Sequence, residues 1–193
     1  MIIGITGGTG SGKSTLLQQI AQKNGLVLDC DEIYHQLLQS DQNLLQSIEN
    51  TFPGTVSNGT LDRKKLGAIV FNDESALQEL NHITHTAVKA EVLRQLEKKP
   101  ALVAIDAIGL FEGALSELCH TTLAITAPEE VRISRLMARD GITENQAAAR
   151  IHAQKKQDWF VEKCDYHLHN DGTMEAFRCK CIALYEKLGI IEK

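Results

Sequence analysis

The segment Gly7-Gly8-Thr9-Gly10-Ser11-Gly12-Lys13-Ser14 fits the spacing G-x-x-x-x-G-K-[ST] at every fixed position and follows directly on the apolar run Ile2-Ile3-Gly4-Ile5. Such a match arises by chance in roughly one chain of this size per hundred, and the strand before it lowers that further. Glycines let the chain turn through conformations closed to other residues and approach an anion closely, while the free N–H groups of a following helix point inward at it. The pattern therefore demands strand, loop and helix in succession, the P-loop context. Lys13 then reaches the outer phosphates of ATP, and the Ser14 hydroxyl is placed for Mg²⁺. Gly8, Thr9, Gly10, Ser11, Gly12, Lys13, Ser14 and Thr15 are the predicted nucleotide-binding residues.

Around this loop, short β-branched runs alternate with long helical patterns, which argues for parallel strands joined by helical crossovers. Strands are predicted at 2–6, 26–29, 101–106, 121–126 and 166–169. Helices are predicted at 13–23, 32–38, 44–50, 63–71, 76–98, 129–139, 144–155 and 174–188. Thr143 with Gln146 has the form of a capping box, as does Ser75 with Gln78. About seventy residues without a strong strand separate the second and third strands, too many for one crossover, so they form an inserted helical lobe. The fold class is α/β: a P-loop NTPase-type parallel five-stranded sheet wrapped by helices, with a helical acceptor-binding insertion and a helical lid. Its 193 residues make a single domain. The core occupies about 1–40, 100–130 and 160–193, the insertion about 41–99 and the lid about 131–159.

With 25 acidic against 20 basic residues the net charge is −5, which removes the broad positive field of a duplex-binding protein. No nucleic-acid partner is expected. No apolar run approaches the ~20 residues that cross a bilayer, and MIIGITGG lacks the features of a secretory signal. A cytoplasmic protein without a membrane partner is expected. Five cysteines without CxxC spacing suggest reduced thiols rather than a disulfide framework or a zinc site.

A P-loop does not choose among kinases, switches and motors; the ends of the other strands do. Asp29-Cys30-Asp31 follows the second predicted strand. A carboxylate there can orient a substrate hydroxyl and take its proton, a role assigned to Asp31, although Asp31 could equally cap the helix that begins near Glu32. Arg132, Arg135 and Arg139 recur at i, i+3 and i+7, on one face of a predicted helix, where a closing lid could bring an arginine to the transferred phosphoryl group. The stretch from Arg150 through Lys156 and on to Gln157-Asp158-Trp159 forms the lid's second arm. Arg63, His82 and His85 are candidates for an acceptor's anionic groups, and Asp106 ends a strand where an acidic residue can stand behind Mg²⁺.

Taken in order, these residues resemble dephospho-coenzyme A kinases over nearly the whole chain. The matching positions are Ile5-Thr6-Gly7-Gly8 into the P-loop, Asp29-Cys30-Asp31, Gly59-Thr60-Leu61-Asp62-Arg63 with Leu66 and Phe71, and Ile83-Thr84-His85. They continue through Asp106, Leu110-Phe111-Glu112, Arg135, Arg139, Gln154, Asp165 and Asn170-Asp171-Gly172. The resemblance implies transfer of the ATP γ-phosphoryl to the ribose 3′-hydroxyl of dephospho-coenzyme A, a small-molecule substrate. It implies Asp31, Lys13 and Arg139 as catalytic groups, Asp31, Arg63, His85 and Glu112 as acceptor contacts, ATP and Mg²⁺ as cofactors, and Ser14 as the metal-facing hydroxyl. The chain departs from the family pattern at Cys30 (usually Ala), Thr86 (commonly Pro) and Ile108-Gly109 (Pro-Leu), all changes to pocket shape rather than to the reacting groups. Two alternatives stay open: a kinase for a nucleoside monophosphate or a sugar acid, and a nucleotide-dependent switch, although no N/T-K-x-D element follows a strand.

Overall fold

The structure is a computed structural model that describes residues 1–190. Its elements begin with β1 (Ile2–Thr6), α1 (Lys13–Gln22), β2 (Leu26–Asp29), α2 (Cys30–Ser40) and α3 (Gln42–Thr51). A ribbon of β3 (Val56–Ser57) and β4 (Thr60–Leu61) follows, then α4 (Arg63–Val70) and α5 (Glu74–Leu96). Next come β5 (Val103–Asp106), a 3₁₀ turn at Ser116–Leu118, β6 (Thr121–Thr126), α6 (Glu129–Asp140) and α7 (Glu144–His152). The described chain closes with α8 (Gln157–Lys163), β7 (Tyr166–His169) and α9 (Met174–Lys187).

Five strands make one sheet in the order β2-β5-β1-β6-β7, the α/β architecture expected. β1 runs parallel to β5, with Ile3 opposite Ala104, and parallel to β6, with Ile5 opposite Leu123; β6 runs parallel to β7. All six residues of β6 and four of the five in β1 are buried. Burial on both faces is why these strands read as continuous apolar or β-branched runs rather than alternating ones. From β1 the winding goes first toward β2 and then, after β5, crosses to β6 and β7. The carboxyl end of β1 is thus where the winding reverses, the point at which open α/β sheets bind ligands.

The chain divides into two compact units. The first comprises Met1–Val27, Pro100–Leu110 and the described residues from Ser116 onward. Its core joins Ile3, Ile5, Ala104, Leu123 and Ile125 of the sheet to Leu16 and Ile20 of α1 and to Phe177, Cys181, Leu184 and Tyr185 of α9. Each such side chain withdrawn from water contributes about 1.5–3 kcal/mol. The Tyr185 hydroxyl donates to the Leu16 carbonyl at 2.8 Å and so satisfies the polar atom it carries into that core. A smaller cluster of Leu136, Ala147 and Ile151 holds α6 against α7.

The second unit comprises Leu28–Lys99 and Phe111–Leu115 and has its own core of Leu38, Leu44, Leu45, Ile48, Phe52, Leu66 and Val70. Its helices are closed by aspartates. Asp29, Asp41, Asp62 and Asp73 cap α2, α3, α4 and α5, each accepting two main-chain N–H groups. One expectation is corrected here and one open alternative is closed. Ser75 is not the cap of α5, because Asp73 accepts the N–H groups of Ser75 and Ala76 at 2.8 and 3.1 Å. Asp31 is not the cap of α2 either; Asp29 is, and the helix begins at Cys30 instead of Glu32. The capping box of Thr143 and Gln146 is present at α7. The long helix expected over 144–155 stops at His152, and a separate α8 follows from Gln157.

Candidate active site

The loop between β1 and α1 takes its shape from three glycines with positive φ, Gly7, Gly10 (φ 77°) and Gly12. Gly7 has φ 137°, and a Cβ there would collide with the carbonyl oxygen of Ile125 on β6. Gly12 has φ 100° and would meet the amide nitrogen of Asn170. Gly12 is also the N-cap residue of α1 and offers no side-chain acceptor. The main-chain N–H groups of Gly12, Lys13 and Ser14 consequently have no acceptor among the described residues. Free N–H groups and the positive end of the helix dipole are the features that attract an anion to such a turn.

Lys13 lies across the loop. Its Nζ donates to the Gly7 carbonyl at 3.0 Å and stands 3.8 Å from Oδ1 of Asp106, at the end of β5. Both side chains are only 14% exposed, so little solvent screens the pair. Ser14 projects from the first turn of α1 and is exposed. A serine hydroxyl and one carboxylate are the hard oxygen donors that Mg²⁺ takes in small number while retaining waters, and Ser14 with Asp106 fits that donor set. Among the described residues no cluster of three or more His, Cys, Asp or Glu side chains forms a metal site.

The three arginines of α6 do different things. Arg132, 3% exposed, donates from Nε to the Thr9 carbonyl at 2.8 Å and from Nη2 to Oε1 of Gln154 at 3.3 Å. Arg135 donates from Nη1 to the carbonyls of Gly10 and Ser11 at 3.1 and 3.2 Å. Burial draws both guanidiniums below the ordinary arginine range, for Arg132 against the pull of Glu129. They brace the outward carbonyls of the phosphate loop. Arg139 is exposed, with its Nε and Nη2 forked onto Asp140 at 2.7 and 3.0 Å. Asp140 also accepts from Arg150 at 2.7 Å. The Asp140 hydrogen bond raises the Arg139 pKa, and the arginines hold Asp140 below the usual carboxylate range.

Asp31, Arg63, His85 and Glu112 belong to the second unit. With Asp29 closing the helix, the Asp31 carboxylate is exposed and makes no hydrogen bond among the described residues. His85 and Glu112 are neighbours: burial pushes the His85 imidazole down, while the charge of Glu112 and a hydrogen bond to its main chain push back. Arg63 opens α4 and lies close enough to Tyr34 to oppose the upward shift that burial imposes on that phenol.

Three participants carried little sequence signal. Asn170, 4% exposed, donates from Nδ2 to the Ser11 carbonyl at 2.8 Å, although its sequence neighbourhood reads as a simple turn. Gln154 accepts the Thr9 N–H at 2.9 Å. Arg132 was grouped with the lid but sits behind the loop. The resemblance included Gln154 and Asn170, and the arginine stripe included Arg132, but neither said that they hold the loop; the glycine content of 7–12 tells of close approach without naming what approaches. None of the five cysteines is in a disulfide. Burial, first among the causes, pushes the thiols of Cys119, Cys164 and Cys181 up to about 12, 11 and 11, away from nucleophilic chemistry.

Comparison with known proteins agrees with this geometry. A family model described as dephospho-CoA kinase matches residues 1–176. The dephospho-CoA kinase of Lactobacillus johnsonii is 36% identical over 193 residues, covering 97% of this chain and 98% of that protein. That of Geobacillus kaustophilus is 34% identical over 199 residues, covering 100% and 99%. Among solved structures, TT1252 from Thermus thermophilus superposes with a TM-score of 0.81 at 32% identity, over 97% of each chain. A dephospho-CoA kinase from Campylobacter jejuni gives 0.67 at 25% identity, over 98% of each. A shikimate kinase from Bacteroides thetaiotaomicron, at 0.56 and 18% identity, shares the fold.

Proposed function

This chain belongs to the dephospho-CoA kinase family, and on that premise we propose which of its residues carry ATP-dependent phosphorylation of the ribose 3′-hydroxyl of dephospho-CoA. The similarity spans the full length of the relatives, which favours this acceptor over a nucleoside monophosphate or sugar acid, and a kinase over a switch. The observation that carries the reading is the uncapped start of α1, with Lys13 laid across the same loop beside Asp106.

In this reading the N–H groups of Gly12, Lys13 and Ser14 bind the β- and γ-phosphate oxygens. Lys13 exchanges its bond to Gly7 for the nucleotide. Asp31 accepts the hydrogen bond of the 3′-hydroxyl and takes its proton as the new oxygen–phosphorus bond forms. The bond from γ-phosphorus to the bridging oxygen breaks, its electron pair leaves with ADP, and Asp31 returns the proton to water. Arg139 leaves Asp140 to neutralise charge on the γ-oxygens. Arg63 and His85 engage the acceptor's anionic groups, and Glu112 engages the acceptor ribose. Ser14 and Asp106 would hold Mg²⁺, which when bound would neutralise phosphate charge. Among the described residues no helix is long and apolar enough to cross a membrane, and five cysteines without a disulfide suit the reducing cytoplasm, where we place the reaction.

A coupled ADP-release assay tests the reading. ADP should form with dephospho-CoA and not with nucleoside monophosphates, gluconate or no acceptor. Release that ignores the acceptor would mean a simple ATPase.

A further inference from the structure

The P-loop spacing demands glycine only at positions 7 and 12, yet this chain also places glycine at 8 and 10. Gly8 has no backbone reason to be glycine, since its φ lies outside the left-handed region. Its reason is a neighbour. A Cβ on Gly8 would land on the Arg132 guanidinium and stand 3.1 Å from Oε1 of Gln154. A Cβ on Gly10 would stand 2.9 Å from the Arg132 carbonyl oxygen and 3.2 Å from its Cα. Gly10 has a backbone reason of its own, a φ of 77°, as well as this close approach; Gly8 is explained only by the room it makes for one arginine, brought from α6, 123 residues along the chain from the loop residue it binds.

That arginine closes a ring of three hydrogen bonds around a single residue. The Thr9 carbonyl accepts from Arg132 Nε at 2.8 Å, the Thr9 N–H donates to Gln154 Oε1 at 2.9 Å, and Arg132 Nη2 donates to the same Oε1 at 3.3 Å. Both peptide groups of Thr9 are therefore held from behind. Holding one carbonyl and one amide outward fixes the peptide planes on either side of Thr9, in a loop whose Gly12, Lys13 and Ser14 amides have no acceptor among the described residues. Arg132 is 3% exposed and its guanidinium has no carboxylate within ion-pair distance among the described residues. Such burial is costly for a cation, and the cost is offset when an anion occupies the adjoining loop.

We infer that Arg132 is a positioning residue for the triphosphate: with Gln154 it fixes Thr9, and thereby sets the affinity of the Gly7–Ser14 loop for phosphate without touching the nucleoside. The inference rests on reading that loop as the cradle for ATP. It assigns Arg132 to the loop itself and separates it from Arg139, whose guanidinium is exposed on Asp140.

The test measures binding of ATP and of inorganic tripolyphosphate, each with Mg²⁺, by titration calorimetry well below the melting temperature. Removing a charge-assisted hydrogen bond weakens binding by roughly ten-fold or more. Arg132→Ala should therefore weaken both ligands by the same factor, with KM for dephospho-CoA unchanged and KM for ATP raised. Arg132→Lys, which can reach one of the two acceptors, should recover part of the loss. Gly8→Ala, whose methyl displaces the guanidinium, should reproduce the loss, and the double variant should be no worse than either single one. A loss confined to ATP, with tripolyphosphate unaffected, would overturn the inference in favour of a direct contact with the nucleoside. Additive losses in the double variant, or a lowered melting temperature with unchanged affinities, would overturn it in favour of independent or merely structural roles. If Arg132→Ala fails to fold, Gln154→Ala and Gly8→Ala carry the same comparison. Failure of the cradle reading shows separately, as unmutated protein that binds neither ligand, and would take the inference with it.

Discussion

Asp29 Oδ1 accepts the main-chain N–H of Asp31 at 3.0 Å, so one carboxylate of the Asp29-Cys30-Asp31 triplet closes the helix and leaves the other uncommitted. The two are separable by mutation. Asp31→Asn should reduce kcat by about 10²–10⁴-fold, the usual scale for loss of a general base. Its thermal midpoint should stay where it is. Asp29→Ala should instead cost about 1 kcal/mol of stability through the lost cap. ADP release and thermal melting on both variants decide it; a fully active Asp31→Asn enzyme would remove Asp31 from the chemistry.

Lys13 is held by the Gly7 carbonyl at one end of the loop and faces Asp106, 3.8 Å away, at the next strand. A mobile surface lysine would make neither contact. Lys13→Ala should lower turnover by more than about 10²-fold, comparable to deleting one preorganised donor to a developing charge. Far-ultraviolet circular dichroism should be unchanged, since the core of Ile3, Ile5, Leu16 and Ile125 does not involve the ammonium group. Retained activity would exclude Lys13 as a phosphate ligand.

Gly7 answers to stability as well as to catalysis. Its φ of 137° costs about 1–3 kcal/mol for a residue with a side chain, before the collision with the Ile125 carbonyl is counted. Gly7→Ala should therefore lower the denaturation midpoint, whereas Gly141→Ala, which has open space around it, should cost only the backbone strain of its φ of 65°. Equal losses at the two sites would show that the Ile125 contact carries no weight.

What could be read from the sequence was local. The strand, loop and helix around Lys13 are specified within some twenty consecutive residues by an apolar run, fixed glycines and a helical period. Hydrogen bonds between the loop and Gln154, Arg132 and Asn170 join residues 145, 123 and 159 apart, and their loop partners are main-chain groups, which every residue possesses. No side-chain pattern records such contacts. The open alternative that Asp31 caps the helix was closed for a different reason: an aspartate suits the cap at either place in the triplet, and only the backbone turn at β2 decides which oxygen folds back, that of Asp29. Asp73 displaced Ser75 in the same way.

Stability should depend on pH through His85. An unfolded histidine titrates near 6.5, and burial holds the folded imidazole of His85 lower, against the opposing charge of Glu112. Between the two values the unfolded chain binds more protons than the folded one, so stability rises with pH across that window. The contribution is complete above about pH 6.5 and is lost as the pH falls below it. The depressed carboxyls of Glu49 and Asp165 act in the same direction but only in more acid solution, below the ordinary carboxylate values of 4.5 and 3.8. Thermal midpoints taken from pH 7.5 to 5.5 should therefore decline, and His85→Asn should flatten the decline. A slope unchanged by that substitution would place the pH sensitivity elsewhere, first at His167, which burial also holds low.

Arg139 presents the last choice, because the group assigned to the transferred phosphoryl is forked onto its own neighbour, Asp140. If Arg139 must exchange that carboxylate for the γ-oxygens, the two residues have opposite effects. Arg139→Ala should lower kcat by about 10²–10³-fold with little change in the KM for ATP, as expected of a contact made only in the transition state. Asp140→Ala should leave kcat at or above that of the unmutated enzyme, since it removes the competitor and frees Arg150 as well. The ratio of the two kcat values is the measurement. Parallel losses in both variants would mean that Asp140 must stay bound to orient Arg139, and the proposed exchange would not occur.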